Sequence, residues 1–234
     1  MIKAILFDKD GTLVDFEATW GPTYTMAAER IFEDDADACA EALRAGGMTR
    51  DGRFEPGSLL AAGSYEEIAA DWALRHGAIT AQAALAIITP LFQQGAVANA
   101  LPIVDIAAMF ADLKSLGYRI GVATNDSEVS ARETMVRLGV ADAVEFVVGC
   151  DSGHGGKPDP GMFDAFCRAL DIAPESVAMI GDNVHDLEMG RRGGAGLRVG
   201  VLSGASGEAD LAPHADHVIA DVAALAGLLG HRKM

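Results

Sequence analysis

The chain has 234 residues, 50% apolar and 22% charged, enough to bury a substantial core and more than a minimal domain needs. Eighteen basic residues against 34 acidic ones give a net charge of -16, so the molecule repels phosphate backbones and nucleic acid is a poor candidate partner. The 27 glycines, abundant alanines and few aromatics disfavour an all-β sandwich and suit strands and helices joined by tight turns.

In chain order, the opening "MIKAILFDKDGTL" predicts a strand at Ile2–Phe7, apolar at every position as in a strand buried on both faces. From about Phe16 to about Ala100 no strand is evident. Helices are predicted at Thr19–Glu33, Ala36–Ala45, Tyr65–His76 and Ala81–Gln94, with the loop "GGMTRDGRFEPGS" between the second and third. In "DIAAMFADLKSLG" the residues Ile106, Met109, Phe110, Leu113 and Leu116 keep one helical face apolar, and Gly117 ends it as a left-handed cap. A strand at Arg119–Ala123 precedes a helix at Ser127–Leu138, and a strand at Phe146–Val148 precedes "FDAFCRAL", where Phe163, Phe166, Cys167 and Leu170 share a face. Strands at Val177–Ile180 and Leu197–Leu202 follow, and the tail "GHRKM" reads as frayed. Met26, Met109, Met135, Met162, Met179 and Met189 fall on apolar faces and read as core.

Strand-helix alternation interrupted by one helical stretch predicts an α/β protein: a Rossmann-like core from residues 1–15 and 101–234, helices on both faces of its sheet, and an inserted helical domain at 16–100. No basic leader precedes an apolar run and no apolar stretch approaches about 18 residues, so neither a targeting segment nor a membrane association is expected. Cys39, Cys150 and Cys167 are odd in number and lack metal-type spacing, which points to a reducing cytoplasm.

The strand ends carry the chemistry. Alternation places Asp8 and Asp10 on one side of the chain and Lys9 on the other, at the carboxyl end of a buried strand, where such sheets bind ligands. Gly11 permits a sharp turn and Thr12 can bond within it; the bland alternative is an Asx-turn with a helix cap. "GVATND" supplies Thr124 and Asn125, which could equally cap the following helix; "GGKPDP" supplies Lys157, by default a solvated loop lysine; and "AMIGDNVHD" supplies Asp182 and Asp186. His185 and His154 read as surface residues near that crevice.

Together these residues resemble the haloacid dehalogenase superfamily in its phosphatase branch, nearest the phosphoglycolate phosphatases. Asp8-Lys9-Asp10-Gly11-Thr12 is similar to its first motif, Thr124 to the second, Lys157-Pro158 to the third, and Gly181-Asp182 with Asp186 to the fourth, in the right order along the chain. The resemblance implies a sheet order 5-4-1-2-3, a helical cap between the first and second motifs, and a Mg²⁺-dependent phosphatase acting through an aspartyl-phosphate on Asp8. It further implies Asp10 as general acid and base, and Asp8, Asp182, Asp186 and the Asp10 carbonyl around the metal. Thr124, Asn125 and Lys157 then meet the phosphoryl group. An acid at position 10 favours phosphoryl transfer over dehalogenation. Substrate choice is expected from the loop at 46–64, whose Arg50, Arg53, Ser58 and Ser64 could meet a small anion, Arg53 being assigned to substrate. Phe16 stands where many relatives have a serine. The expected partner is a small phosphorylated metabolite, 2-phosphoglycolate among the candidates, with the protein a monomer or homodimer. A β-phosphoglucomutase-like phosphomutase and a non-catalytic binding module are the rival readings.

Overall fold

The computed structural model describes residues 1–33 and 35–230; of the expected tail, residues 231–234 lie outside the described residues. Six parallel strands form one sheet in the order β3-β2-β1-β4-β5-β6: β1 (Ala4–Phe7), β2 (Arg119–Ala123), β3 (Phe146–Val148), β4 (Val177–Gly181), β5 (Leu197–Val201) and β6 (His217–Ile219). The first five stand in the expected order. The sixth extends the sheet beyond β5; its three residues are only half-buried, so no apolar run announces it. Ile2 and Leu202 fall outside the strands.

Period-two alternation sorts the strand side chains onto two faces. Ile5, Phe7, Ile120, Val122, Ala178 and Ile180 join one core cluster, while Ala4, Leu6, Val177 and Met179 join another. The helices that cover those faces connect the strands or follow the last of them. α6 (Ile106–Ser115), α7 (Glu128–Arg137) and α11 (Leu225–Gly230) cover the first; α8 (Gly161–Leu170) and α9 (Val184–Gly193) cover the second, and the short α10 (Glu208–Leu211) follows β5. Ile106, Met109, Phe110 and Leu113 are buried as expected, but Leu116 ends the helix and is 41% exposed. Gly117, at φ +85°, turns the chain away from α6.

Between β1 and β2 lie α1 (Phe16–Ile31), α2 (Ala36–Ala45), α3 (Leu59–Ala62), α4 (Tyr65–His76) and α5 (Ala81–Ala98), with no strand between α1 and α5 among the described residues. They share a separate apolar cluster built on aromatic rings. Local sequence sets their starts: Asp15, Asp35, Ser64 and Thr80 each accept a first-turn N–H, and Ser64 with Glu67 forms a reciprocal capping box. α1 starts three residues earlier than expected because Asp15 caps it, and Met26 on its outer face is 41% exposed rather than core.

Phe92 is the hub of this cluster, fully buried with ring centres of Tyr65, Tyr24, Trp20 and Trp72 at 4.9, 5.1, 5.8 and 6.2 Å. Phe92→Ala is expected to destabilise the protein by about 3–5 kcal/mol, read from equilibrium urea unfolding. A loss under about 1 kcal/mol would mean the rings repack without it.

Candidate active site

β1 and β4 are neighbours in register, Phe7 opposite Ile180, so Asp8 and Asp182 leave the sheet side by side at its carboxyl edge. The chain steps outward from β1 to β3 and returns to β4, so this is the switch point where a parallel sheet opens a crevice. The Asp8 N–H donates to the Ile180 carbonyl at 2.8 Å, which fixes where its carboxylate emerges. Two glycines let backbone lie against Asp182. Gly11 has φ +83°, and a Cβ there would lie 2.6 Å from the Asp182 carboxyl carbon; one on Gly204 would lie 2.0 Å from Asp182 Oδ2. Beside Gly204, the Ala205 N–H donates to Oδ2 at 3.1 Å, and the Thr12 hydroxyl donates to Oδ1 at 3.3 Å.

Asp8, Asp182 and Asp186 are buried, with one oxygen of each within 4.8 Å of the others. The Lys157 ammonium bridges Asp8 and Asp186, 2.5 Å from the latter, whose other oxygen accepts the Asn183 N–H at 3.0 Å. Burial pushes Asp8 up to about 6, Lys157 drawing it down and Asp186 pushing it up. Burial also lifts Asp182 well above the usual carboxylate range, helped by the Asp8 and Asp186 charges. Burial would lower Lys157, but the Asp186 and Asp8 carboxylates outweigh it and hold it above the usual lysine value. Three crowded carboxylates with one lysine among them form a hard-oxygen donor set still short of positive charge, which fits a divalent cation.

A second buried cluster adjoins the first. Lys9 is fully buried, 2.8 Å from Asp10 Oδ1 and 3.0 Å from Asp126 Oδ2, with its ammonium 5.7 Å from the centre of the Trp20 ring. β1 ends at Phe7, so the alternation that separates Lys9 from Asp10 in an extended strand does not reach them. The other Asp10 oxygen lies 3.4 Å from the Thr124 hydroxyl, so its carboxylate faces Lys9 and Thr124 and stands outside the acidic triad. Burial raises Asp10, and the Lys9 charge opposes that rise. Asp126 also accepts from the Tyr65 hydroxyl, the Ser130 hydroxyl at 2.6 Å and the Ser127 N–H at 2.6 Å. Tyr65 belongs to α4, so this bond joins the helical insert to the strand ends. Gln93 of α5 adds a second link, donating to Ser127 at 3.2 Å.

Asn125 pins the loop that presents Lys157, accepting its N–H at 2.8 Å and donating to its carbonyl at 3.3 Å. Ser127, rather than Thr124 or Asn125, caps α7. Asp8, Asp10, Thr124, Asn125, Lys157, Asp182 and Asp186 thus border one cavity. Arg53 does not: its side chain is 72% exposed and pairs with Asp51 at 3.2 Å, and Arg50, Ser58, Ser64 and His154 are likewise off the cavity wall. The 46–64 segment contributes Leu60–Gly63 instead. His185 borders the cavity; burial, with the Lys157 charge, lowers its basicity. Sequence reasoning missed the partners Lys9, Asp126 and Tyr65. A lysine inside a buried acidic run signals a carboxylate partner, and Asp126 two residues after Thr124 was within reach of that inference, whereas nothing local marks Tyr65.

The sequence model of the haloacid dehalogenase-like hydrolases matches residues 2–194. The chain belongs to that family. It is 31% identical over 231 residues to a phosphoglycolate phosphatase of Rhodospirillum rubrum, covering 98% of this chain and 92% of the relative. It is 27% identical to an N-acetylmuramic acid 6-phosphate phosphatase of Pseudomonas putida, covering 86% and 85%. A HAD family hydrolase from Deinococcus radiodurans R1, solved with bound phosphate and sodium, shares the fold at TM-score 0.66 and 22% identity, covering 98% of this chain and 96% of its own. A β-phosphoglucomutase from Clostridium difficile does so at TM-score 0.66 and 17% identity, covering 100% and 97%.

Lys9→Met leaves Asp10 and Asp126 buried without their cation and is expected to cost about 3–5 kcal/mol in denaturant unfolding. Adding Asp126→Asn removes one orphaned charge, so the double variant should regain about 1 kcal/mol or more relative to the sum of the two single losses. Strict additivity would show that Lys9 and Asp126 do not act as a pair.

Proposed function

We propose that this hydrolase is a Mg²⁺-dependent phosphatase of small phosphate monoesters that works through a phosphoryl-Asp8 intermediate. The observation that carries the reading is the convergence of Asp8, Lys157, Asp182 and Asp186 at one switch point, with Asp10 and Thr124 beside them. In this reading residues 16–100 act as a cap over a core formed by 1–15 and 101–234.

The residues divide the work as follows. One Asp8 oxygen attacks phosphorus, the P–O bond to the alcohol breaks, and Asp10 delivers a proton to the departing oxygen. Asp10 suits the task because burial raises its proton affinity while Lys9 and Thr124 fix its direction. Water then attacks the phosphoryl-Asp8, Asp10 takes its proton, and inorganic phosphate leaves with Asp8 restored. Lys157, Thr124 and the N–H groups leading into α7 hold the phosphoryl oxygens. Mg²⁺, held by Asp8, Asp182, the Asp10 carbonyl and Asp186, would offset the repulsion between the nucleophile and a phosphate dianion. The names of relatives make 2-phosphoglycolate a natural first ester to assay; the protein is read as acting alone or as a homodimer.

Asp8→Asn is expected to lower Mg²⁺-dependent phosphate release on the order of 10³-fold or more, with circular dichroism unchanged; full activity in that variant would end this reading. Independently of turnover, Mg²⁺ at about a hundredfold over its Kd should stabilise the protein by about 2.7 kcal/mol. Asp182→Asn should abolish that stabilisation, and its persistence would place the metal elsewhere.

A further inference from the structure

The wall of the cavity opposite the carboxylates comes from the helical insert, and its composition bears on the alcohol portion of the substrate. Phe16, Trp20, Tyr24, Leu60 and Tyr65 form it, all buried, with Ala61, Ala62 and Gly63 at its edge. No arginine or lysine of the insert borders the cavity among the described residues. Lys157 is bound to Asp8 and Asp186, and Lys9 is fully buried, off the wall and held by Asp10 and Asp126. The two tyrosine hydroxyls are also committed, Tyr24 donating to the Leu60 carbonyl at 2.9 Å and Tyr65 to Asp126. What remains on this wall is ring surface.

Resting on the phosphatase reading, we propose that the site selects phosphate esters whose alcohol portion is uncharged and presents apolar surface, and that it discriminates against a second anionic group such as the carboxylate of 2-phosphoglycolate. A carboxylate there would shed its water with no arginine or lysine of the insert to meet it and would add to a site already crowded with aspartates. An apolar group would gain from burial against the rings. His185 of α9 also borders the cavity, and its Nδ1 is buried without a hydrogen-bond partner.

The test compares benzyl phosphate, 2-hydroxyethyl phosphate and 2-phosphoglycolate, whose alcohols differ little in acidity, by kcat/KM with Mg²⁺. In parallel, calorimetry reads the binding of the non-hydrolysable 2-phenylethylphosphonate, 3-hydroxypropylphosphonate and 3-phosphonopropionate. The expected order is benzyl, then hydroxyethyl, then glycolate, with the carboxylate costing about tenfold or more against its neutral match in both series. Equal or better handling of the carboxylate compound overturns the proposal, as does a benzyl compound poorer than the hydroxyethyl one. If the phosphonates rank as expected while no ester is hydrolysed, the selectivity stands and the phosphatase reading falls. Ala62→Arg supplies the missing cation and should improve 3-phosphonopropionate relative to 3-hydroxypropylphosphonate by about tenfold; should it fail to fold, the ranking in the unaltered protein decides alone.

Discussion

The feature on which the rest of the site depends is a charge imbalance held inside protein. Five aspartates, Asp8, Asp10, Asp126, Asp182 and Asp186, border one cavity, and two buried lysines answer them, each shared between two carboxylates. Isolated carboxylates do not stay ionised in such surroundings; they bind protons or recruit cations. The two lysines divide the five into a pair around Lys9, a pair around Lys157, and Asp182, whose partners are a hydroxyl and a backbone N–H. Asp182 is therefore the carboxylate with most need of a further positive charge, and the raised proton affinities of Asp8 and Asp182 have the same origin.

The arrangement is imposed by the sheet more than by local sequence. β1, β2 and β4 are parallel and adjacent, so the residues that follow them emerge at one edge whatever the intervening chain does. Sequence separations of 149 between Lys157 and Asp8, and 170 between Thr12 and Asp182, are closed by strand pairing. The apolar interiors of those strands, alternating into two cores, supply the rigidity that fixes charged groups at hydrogen-bond distance.

This explains why much of the site was legible and some was not. Strands buried on both faces write continuous apolar runs, and Asp8, Thr124 and Asp182 could be placed because each follows such a run closely. The helices at 36–45 and 65–76 were readable from caps and periodicity. β6 was not, because an edge strand of three half-buried residues carries no run. Arg53 was singled out for its charge, yet position on the folded loop decides contact, and its neighbour Asp51 takes the guanidinium while Leu60–Gly63 reach the cavity. The role of Tyr65 depends on how the insert docks, which no local pattern encodes.

The bond from Tyr65 to Asp126 links the two halves of the molecule through the same charges. Asp126 stands between a hydroxyl from the insert and the ammonium that also orients Asp10. A displacement of α4 that broke the Tyr65 bond would leave Asp126 with the Ser127 N–H, the Ser130 hydroxyl and the Lys9 ammonium it shares with Asp10. Closure of the insert and placement of the proposed proton donor would then be one event. Trp20 strengthens the coupling, since one ring both lines the cavity and lies near the Lys9 ammonium. In the proposed function, a ligand that packs against the aromatic wall would thus touch the same ring that lies near the ammonium holding Asp10.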